Sequence, residues 1–128
     1  MASLEGAPGS SAGKQLIESY GGGGFRIAGV RHAGSVLVFP DHTLEWPVGD
    51  AADISAADLA EVVRGAESVR ILVVGCGRAF IAKPQHLVAE LRAAGIAVEW
   101  MATGAACRTF NVLLLEDREV AAALIAID

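Results

Sequence analysis

Aromatic residues are scarce in this chain, and basic residues never form a cluster. Only 5% of the 128 residues are Phe, Trp or Tyr, whereas 53% are hydrophobic. A core built mainly from Ala, Val, Leu and Ile is therefore expected, within a single domain. The net charge of −5 and the lack of a Lys/Arg-rich block argue against a nucleic-acid partner, because binding a phosphate backbone requires clustered cations.

Cysteines and long apolar runs are also few. Cys76 and Cys107 stand far apart and fit no zinc or redox spacing, so reduced thiols in a cytosolic compartment are expected. The N-terminal segment MASLEGAPGSSAGKQ has neither the basic nor the apolar region of a secretory signal. No apolar run reaches the length of a membrane span. Together these absences predict a soluble intracellular protein without a transmembrane segment.

The first half of the chain is rich in glycine and short apolar segments. Residues 1–13 are small and polar and are predicted to form a disordered tail, followed by one domain over 14–128. The four glycines at 21–24 lack the Lys-Ser/Thr of a phosphate loop, so they predict a turn into a strand. From Phe25 to Trp46, short strand-like segments separated by Gly and Pro turns predict antiparallel β-hairpins.

The second half alternates helix and strand patterns. VRILVVG, PQHLVAELRAAG and IAVEWMA predict a βαβ unit over 69–102 with two parallel strands. Before it, Ser55 and Asp58 have the spacing of a capping box and predict the start of a helix. The apolar stripe of that helix would comprise Leu59, Val62, Val63 and Ala66.

A third helix is predicted after the βαβ unit, and the segment that follows it is ambiguous. VAAALIAI is rich in alanine, which favours helix, but its short apolar run also suits a final strand. The apolar stripe of the third helix would comprise Ala106, Cys107, Phe110, Leu113 and Leu114.

The ends of the two parallel strands suggest a binding site. Such strands end at the same edge of a sheet, where ligands of open α/β folds bind and where helix N-termini point. Free backbone N–H groups at 103–105 and nearby cations would favour an anion, and Gly104 would leave the approach open. The candidate residues at this edge are Gly75, Cys76, Gly77, Arg78, Lys83, Thr103, Gly104, Arg108 and Asn111.

Several more specific interpretations of these residues are weak. Gly75-x-Gly77 begins a dinucleotide-binding fingerprint, but Phe80 occupies the position of the third glycine, so a tight strand-to-helix turn is favoured. Cys107 lies on the apolar stripe and is interpreted as a buried structural thiol, whereas Cys76, in a loop, is the better candidate for a reactive one.

The remaining residues that could take part in chemistry are interpreted as structural. The three histidines form no metal set and no Ser-His-Asp arrangement, so no cofactor and no metal is predicted. Trp46 and Trp100 are interpreted as core or interface anchors. A homodimer is a default expectation for a small apolar-rich domain, without direct support in the sequence.

Several segments together resemble a known family between Leu16 and Ile127. They are GFRIAG, GSVLVFP followed by Trp46, LVVGCG, and LRAAGIAVEWMATGAACRTFNVLLLEDREVAAAL. The family is the one that includes the mitochondrial NADH:ubiquinone oxidoreductase (complex I) assembly factor 3 and the adipogenesis-associated Mth-domain protein. Its most specific pattern is T-x-x-A-C-R-T-[FY]-N-x-L, which spans 103–113 here.

The resemblance implies a three-layer α/β fold with a mixed central sheet and an antiparallel last strand. It also implies a protein without an established enzymatic activity, which acts by binding partners such as components of respiratory-complex assembly. Cys76 departs from the small residue common in the family, and the N-terminus is not an Arg-rich presequence, so the comparison with the family favours a bacterial cytoplasmic relative. Two functions therefore stay open, a non-enzymatic interaction module with an exposed apolar patch on the hairpin half, and an anionic-ligand protein or enzyme using the strand-end site.

Overall fold

Nine strands and three α-helices make up the part of the chain that the computed structural model describes, residues 2–3, 14–65 and 68–128. The helices are α1 (Ala60–Arg64), α2 (Gln85–Ala93) and α3 (Thr103–Leu115). The strands are β1 (Ala2–Ser3), β2 (Ile17–Gly21), β3 (Gly24–Ile27), β4 (Val30–Ala33), β5 (Val36–Val38), β6 (Thr43–Glu45), β7 (Ile71–Gly75), β8 (Ala97–Met101) and β9 (Val120–Leu124).

The predicted N-terminal tail falls almost entirely outside these ranges. Ala2–Ser3 pairs with β2, and the other residues of 1–13 lie outside the described part of the chain. The glycines at 21–24 form the turn between β2 and β3, as predicted, with Gly22 and Gly23 at φ of 60° and 79°. Positive φ is readily adopted only by glycine, which explains why the turn has this composition.

The strands form two sheets. β1 to β4 form an antiparallel sheet in the order of the sequence. The β3–β4 and β5–β6 pairs confirm the hairpins predicted between Phe25 and Trp46. The larger sheet has the order β6-β5-β9-β7-β8, with β7 parallel to β8. β9 is antiparallel to β5, as expected, and parallel to β7, a pairing not expected from the sequence. The parallel pairing arises because α3 returns the chain along the sheet after β8, so that β9 enters in the direction of β7.

The larger sheet is the middle of three layers, which confirms the expected α/β architecture. α1 and α2 cover one face, where their buried side chains belong to the same hydrophobic cluster as Leu72 and Val74 of β7. α3 and the small sheet cover the other face, where Val73 points. Alternate side chains of β7 are thus buried on opposite sides, as a continuous β-branched run predicts.

The helix predicted from Ser55 begins as expected but has a different buried face. Asp58 accepts hydrogen bonds from the Ser55 backbone N–H at 2.8 Å and from its hydroxyl at 3.0 Å, so the capping interaction is present. Leu59 and Val62 are buried, but Val63 is 40% exposed, and its place in the stripe was wrong. Ala66, the last predicted member of the stripe, lies outside the described residues. The first turn, Ala56–Leu59, is a 3-10 helix with about three residues per turn, which rotates the following positions relative to an α-helical stripe.

The other two predicted helices bury the predicted side chains. α2 buries Leu87, Val88 and Leu91, and the chain leaves it through Gly95 at a φ of 86°. α3 buries four of its five stripe residues, while Leu113 is partly buried against the same cluster. Both tryptophans are buried, and both indole N–H groups donate to backbone carbonyls, Trp46 to Asp58 at 2.8 Å and Trp100 to Ile81 at 2.9 Å.

Candidate functional site

The predicted edge of the sheet exists, and Thr103 is its central residue. The carboxyl ends of β7, β8 and β9 meet there. Thr103 is fully buried, and its hydroxyl donates to Ile125 O at 2.8 Å and accepts from Gly77 N at 3.0 Å. Its backbone N–H donates to Gly77 O at 2.8 Å, so the expectation of a free N–H at this position was wrong. Thr103 therefore ties the start of α3 to the turn after β7 and to the end of β9.

Gly75 is required by close packing at the same edge. A Cβ at this position would lie 2.9 Å from Thr103 Cα and 3.1 Å from Leu124 Cδ2. The first contact is with a backbone atom, which a side-chain rotation cannot relieve. Gly75 thus lets α3 approach β7 and β9 closely. This packing explains why the position is a glycine, without any role in dinucleotide binding.

The two cysteines are both buried. Cys76 follows β7 and contributes to the core on the α1/α2 side, with its Sγ 3.6 Å from Ala79 O. Cys76 does follow β7 in a loop, but the turn directs its side chain inward, and only 5% of the residue is exposed. Its reactivity stays a prediction. Cys107 is buried as expected, and desolvation raises the pKa of its thiol to about 12, so the thiol is protonated at neutral pH.

Gly104 does not leave an open approach, because the Tyr20 ring covers it. A Cβ at Gly104 would lie 2.6 Å from Tyr20 Oη and 3.1 Å from Tyr20 Cζ. The Arg108 side chain is exposed, and its guanidinium lies 3.4 Å from the same hydroxyl. The predicted clear path beside Gly104 is thus occupied by a side chain of β2.

Asn111 is directed at β2 and not at the edge where β7, β8 and β9 end, which we call the strand-end corner. Its Oδ1 accepts from Ile17 N at 2.9 Å, and its Nδ2 donates to Ile17 O at 2.9 Å. A primary amide matches a backbone N–H and C=O pair in this way, and both of its polar atoms are then engaged. The predicted cluster therefore divides, with Gly104, Arg108 and Asn111 on the β2 side of α3.

A polar cavity of about 340 Å³ lies at the strand-end corner. Of the predicted residues, Cys76, Gly77 and Arg78 line it, whereas Lys83 lies in the exposed loop beyond. The Arg78 guanidinium donates to the backbone oxygen of Asp128 at 3.2 Å. The remaining lining residues are Gly23, Gly49, Asp50, Ala51, Ile125, Ala126, Ile127 and Asp128. The contributions of 49–51 and 125–128 could not be inferred from local spacing, because they come from distant parts of the chain.

The loop from β7 to α2 presents the most exposed large apolar side chain among the described residues. Phe80 is 64% exposed and Ile81 is 37% exposed. In the hairpin half, where an exposed apolar patch was expected, Val30 is exposed, but Phe25 and Ile27 are buried. The main apolar feature of the surface therefore lies in a different segment, next to the predicted site.

A second cavity, of about 580 Å³, lies near the turn after β5. His42 stacks on Phe39 with ring centroids 4.6 Å apart, and its Nδ1 lies 2.7 Å from Asp41 Oδ1. The hydrogen bond with His42 lowers the pKa of Asp41 below its ordinary value. Among the described residues, no group of three or more His, Cys, Asp and Glu side chains is placed to hold a metal ion.

Two curated relatives cover most of this chain. A Rhodobacter capsulatus protein is 40% identical over 89% of this chain and 86% of its own length. The Xenopus tropicalis NADH dehydrogenase (ubiquinone) 1 alpha subcomplex assembly factor 3 is 38% identical over 90% of this chain. The chain spans only 63% of the length of that assembly factor.

Solved structures share the fold. A Bartonella henselae structure described as an outer membrane protein matches with a TM-score of 0.84 and 36% identity, covering 91% of this chain and 98% of that one. A Bordetella pertussis Mth938-like domain matches with a TM-score of 0.78 and 29% identity, covering 95% and 90%. Within the described ranges, no helix is both long and apolar enough to cross a bilayer.

The family described as Protein of unknown function (DUF498/DUF598) matches residues 17–125, which include β2 to β9, all three helices and most of the residues that line the strand-end corner. The match covers the motif in α3 as well as the turn after β7. This chain therefore belongs to the DUF498/DUF598 family.

Proposed function

We propose that this chain is a non-enzymatic protein-interaction module that acts in the assembly of a multisubunit complex. The observation that carries the proposal is that the family's most specific motif, residues 103–113, makes hydrogen bonds within the fold. Thr103 and Asn111 tie α3 to β2, to the turn after β7 and to the end of β9 through hydrogen bonds, and Phe80, three residues beyond Gly77, is exposed. A motif used for internal support, in a fold that also exposes an aromatic side chain in the loop after β7, favours a rigid binding surface over a reaction centre.

The relatives indicate which kind of complex to test. One of them is named as an assembly factor of NADH dehydrogenase, and this suggests components of respiratory-complex assembly as partners. Since the chain spans 63% of that relative, the role is transferred as a proposal for the shared domain.

The proposal includes a place in the bacterial cytoplasm, where the reduced state of both cysteines is expected. Both are free and buried, as is usual for structural thiols. Fractionation of the native cell with an antibody to the chain tests this part. Recovery of the chain in the outer-membrane fraction would contradict it.

The test of the function is deletion of the encoding sequence in a bacterium that carries it. We expect the fully assembled respiratory NADH dehydrogenase to decrease on native gels and a subassembly to accumulate, with restoration by the wild-type chain. Unchanged amounts of the assembled complex would contradict this assignment. A direct interaction should also appear as a defined subunit that co-purifies with the tagged chain in near-stoichiometric amount.

A second candidate function is the binding of a small anion at the strand-end corner. The observation that favours it is the cavity of about 340 Å³ with Arg78 and the Gly77 turn in its wall. Asp50 lines the same cavity and opposes an anion. Thermal denaturation with inorganic phosphate, sulfate and ATP tests it, because a ligand of the folded state raises the melting temperature. Loss of that rise in Arg78→Ala would support the corner as the site.

A further inference from the structure

We infer that the loop Arg78–Lys83 is the surface through which this chain binds its partner, and that the partner presents an apolar socket with an acidic rim. The inference rests on the proposed function and specifies the surface that would perform it. We refer to residues 78–83 as the docking loop; its sequence is RAFIAK.

The first argument is the exposure of two apolar side chains at adjacent positions. Phe80 is 64% exposed and Ile81 is 37% exposed. Removing a large apolar side chain from water is favourable, so a partner that covers both side chains gains binding free energy. Interface hot spots are commonly single side chains of this kind that enter a pocket on the partner.

The second argument is that the loop backbone is held from inside. The buried Trp100 indole donates to Ile81 O at 2.9 Å, and the buried Cys76 Sγ lies 3.6 Å from Ala79 O. The carbonyls on either side of Phe80 are thus attached to core side chains, while the phenyl ring points outward. A loop ordered before binding loses less conformational entropy when the complex forms, which favours affinity.

The third argument is charge. Arg78 and Lys83 are exposed at the two ends of the docking loop, and no Asp or Glu lies between them in the sequence. The Arg78 guanidinium also donates to Asp128 O at 3.2 Å, so Lys83 is the less engaged of the two cations. Among the described residues, no ion pair involves Lys83. The chain as a whole carries a net charge of −5, whereas the docking loop itself contains two cations and no acidic residue. Electrostatic complementarity therefore selects a partner surface with carboxylates around the socket.

The observations favour a protein over a lipid surface as the occupant. Two apolar side chains and two cations provide little area for insertion, and stable membrane association generally needs a longer amphipathic segment or a second anchor. A single aromatic anchor between two cations fits a pocket in a protein, where shape as well as area contributes.

The experiment begins with a photoreactive p-benzoylphenylalanine in place of Phe80, in the full chain and in the native cell. The control places the same residue at Val112, which is 55% exposed on α3. The crosslinked protein is identified and purified, and its Kd is measured for the wild type, Phe80→Ala, Arg78→Ala/Lys83→Ala and Val112→Ala. Because all four altered side chains are exposed, unchanged melting temperatures should confirm that the variants fold.

We expect crosslinking at position 80 and not at 112, at carboxylate-flanked apolar residues of the partner. Phe80→Ala should weaken binding by at least about tenfold, as for a hot-spot residue. The double charge variant should lower the association rate and reduce its dependence on salt, whereas Val112→Ala should bind like the wild type.

The outcomes separate this inference from the proposed function. If the wild-type chain binds a partner and Phe80→Ala binds it equally well, the assignment of the docking loop as the binding surface is wrong. The proposed function as an interaction module is then still supported. If the wild-type chain binds no partner, both fail. Co-sedimentation with phosphatidylglycerol vesicles that is lost in Phe80→Ala, without a protein crosslink, would overturn the protein occupant.

Discussion

Asn111 in α3 forms two hydrogen bonds with the backbone of Ile17 in β2, and both bonds measure 2.9 Å. This contact joins the small sheet to the helix through one side chain across 94 residues of sequence. Ile17 is itself buried, so water does not readily replace the amide.

Replacement of Asn111 by alanine should destabilise the fold. Two buried backbone groups of Ile17 would lose their partner, and each such loss costs on the order of 1–3 kcal/mol. Urea unfolding followed by tryptophan fluorescence measures the change in unfolding free energy. Val112→Ala, on the exposed side of the same helix, is the matched control and should change stability by no more than about 0.5 kcal/mol. Equal effects of the two substitutions would contradict the role of Asn111.

Gly75→Ala should also destabilise the fold, because the added Cβ meets the backbone of Thr103 at 2.9 Å. We expect a loss of about 1–3 kcal/mol, the range for overpacking a tight core. Gly49→Ala is the control, since a Cβ there meets nothing within 4 Å and its φ is not in the positive region. It should be neutral or stabilising by up to about 1 kcal/mol. Similar melting temperatures for the two variants would refute the packing role of Gly75.

Gly104 and Tyr20 should be energetically coupled. In the wild type, Gly104→Ala places a methyl group 2.6 Å from Tyr20 Oη and must displace the ring. In Tyr20→Phe the hydroxyl is absent, so the same substitution should be less destabilising. A double-mutant cycle on unfolding free energies should give a coupling of about 0.5–3 kcal/mol, as for residues in contact. Additive effects would mean that the ring moves aside freely.

The pH dependence of stability should reveal the buried thiol of Cys107. In the unfolded chain a thiol ionises around 9.0, whereas burial raises the pKa of Cys107 in the folded chain to about 12. Between these values the folded state binds more protons than the unfolded state, so stability falls as pH rises. The contribution of this group is fully present below pH 9.0 and declines by about 1.4 kcal/mol per pH unit above it.

Comparison of the wild type with Cys107→Ala isolates that contribution. The variant should lose stability less steeply between pH 9.5 and about 11, whatever its stability at neutral pH, and the difference in slope should approach about 1.4 kcal/mol per pH unit. Identical slopes would indicate that Cys107 is solvated in the folded state.

Local patterns predicted the elements, because helices and buried strands have periodicities that can be read within ten residues. Such patterns predict the βαβ unit over 69–102 and the apolar stripe of α3. They also predict that Cys76 and Arg78 lie at the edge of the sheet where the parallel strands end. The wrong assignment of Val63 has a local cause as well, since a 3-10 turn precedes α1.

Contacts between distant segments could not be predicted in this way. Nothing in the sequence near Gly104 indicates that the Tyr20 ring will cover it, and nothing near Asn111 indicates Ile17 as its partner. The expected single site therefore included residues that face two different sides of α3. The direction of the Cys76 side chain was missed for a related reason, because it depends on how the turn after β7 packs on the core.

The position of β9 has a consequence for how the protein folds during synthesis. This strand lies between β5 and β7, so it connects the N-terminal hairpins to the βαβ unit, yet the ribosome makes it after every other described strand. Until it emerges, β5 and β7 have no common neighbour, and their apolar edges stay exposed. Such non-local pairing slows folding, and a nascent chain without 120–124 should depend on chaperones.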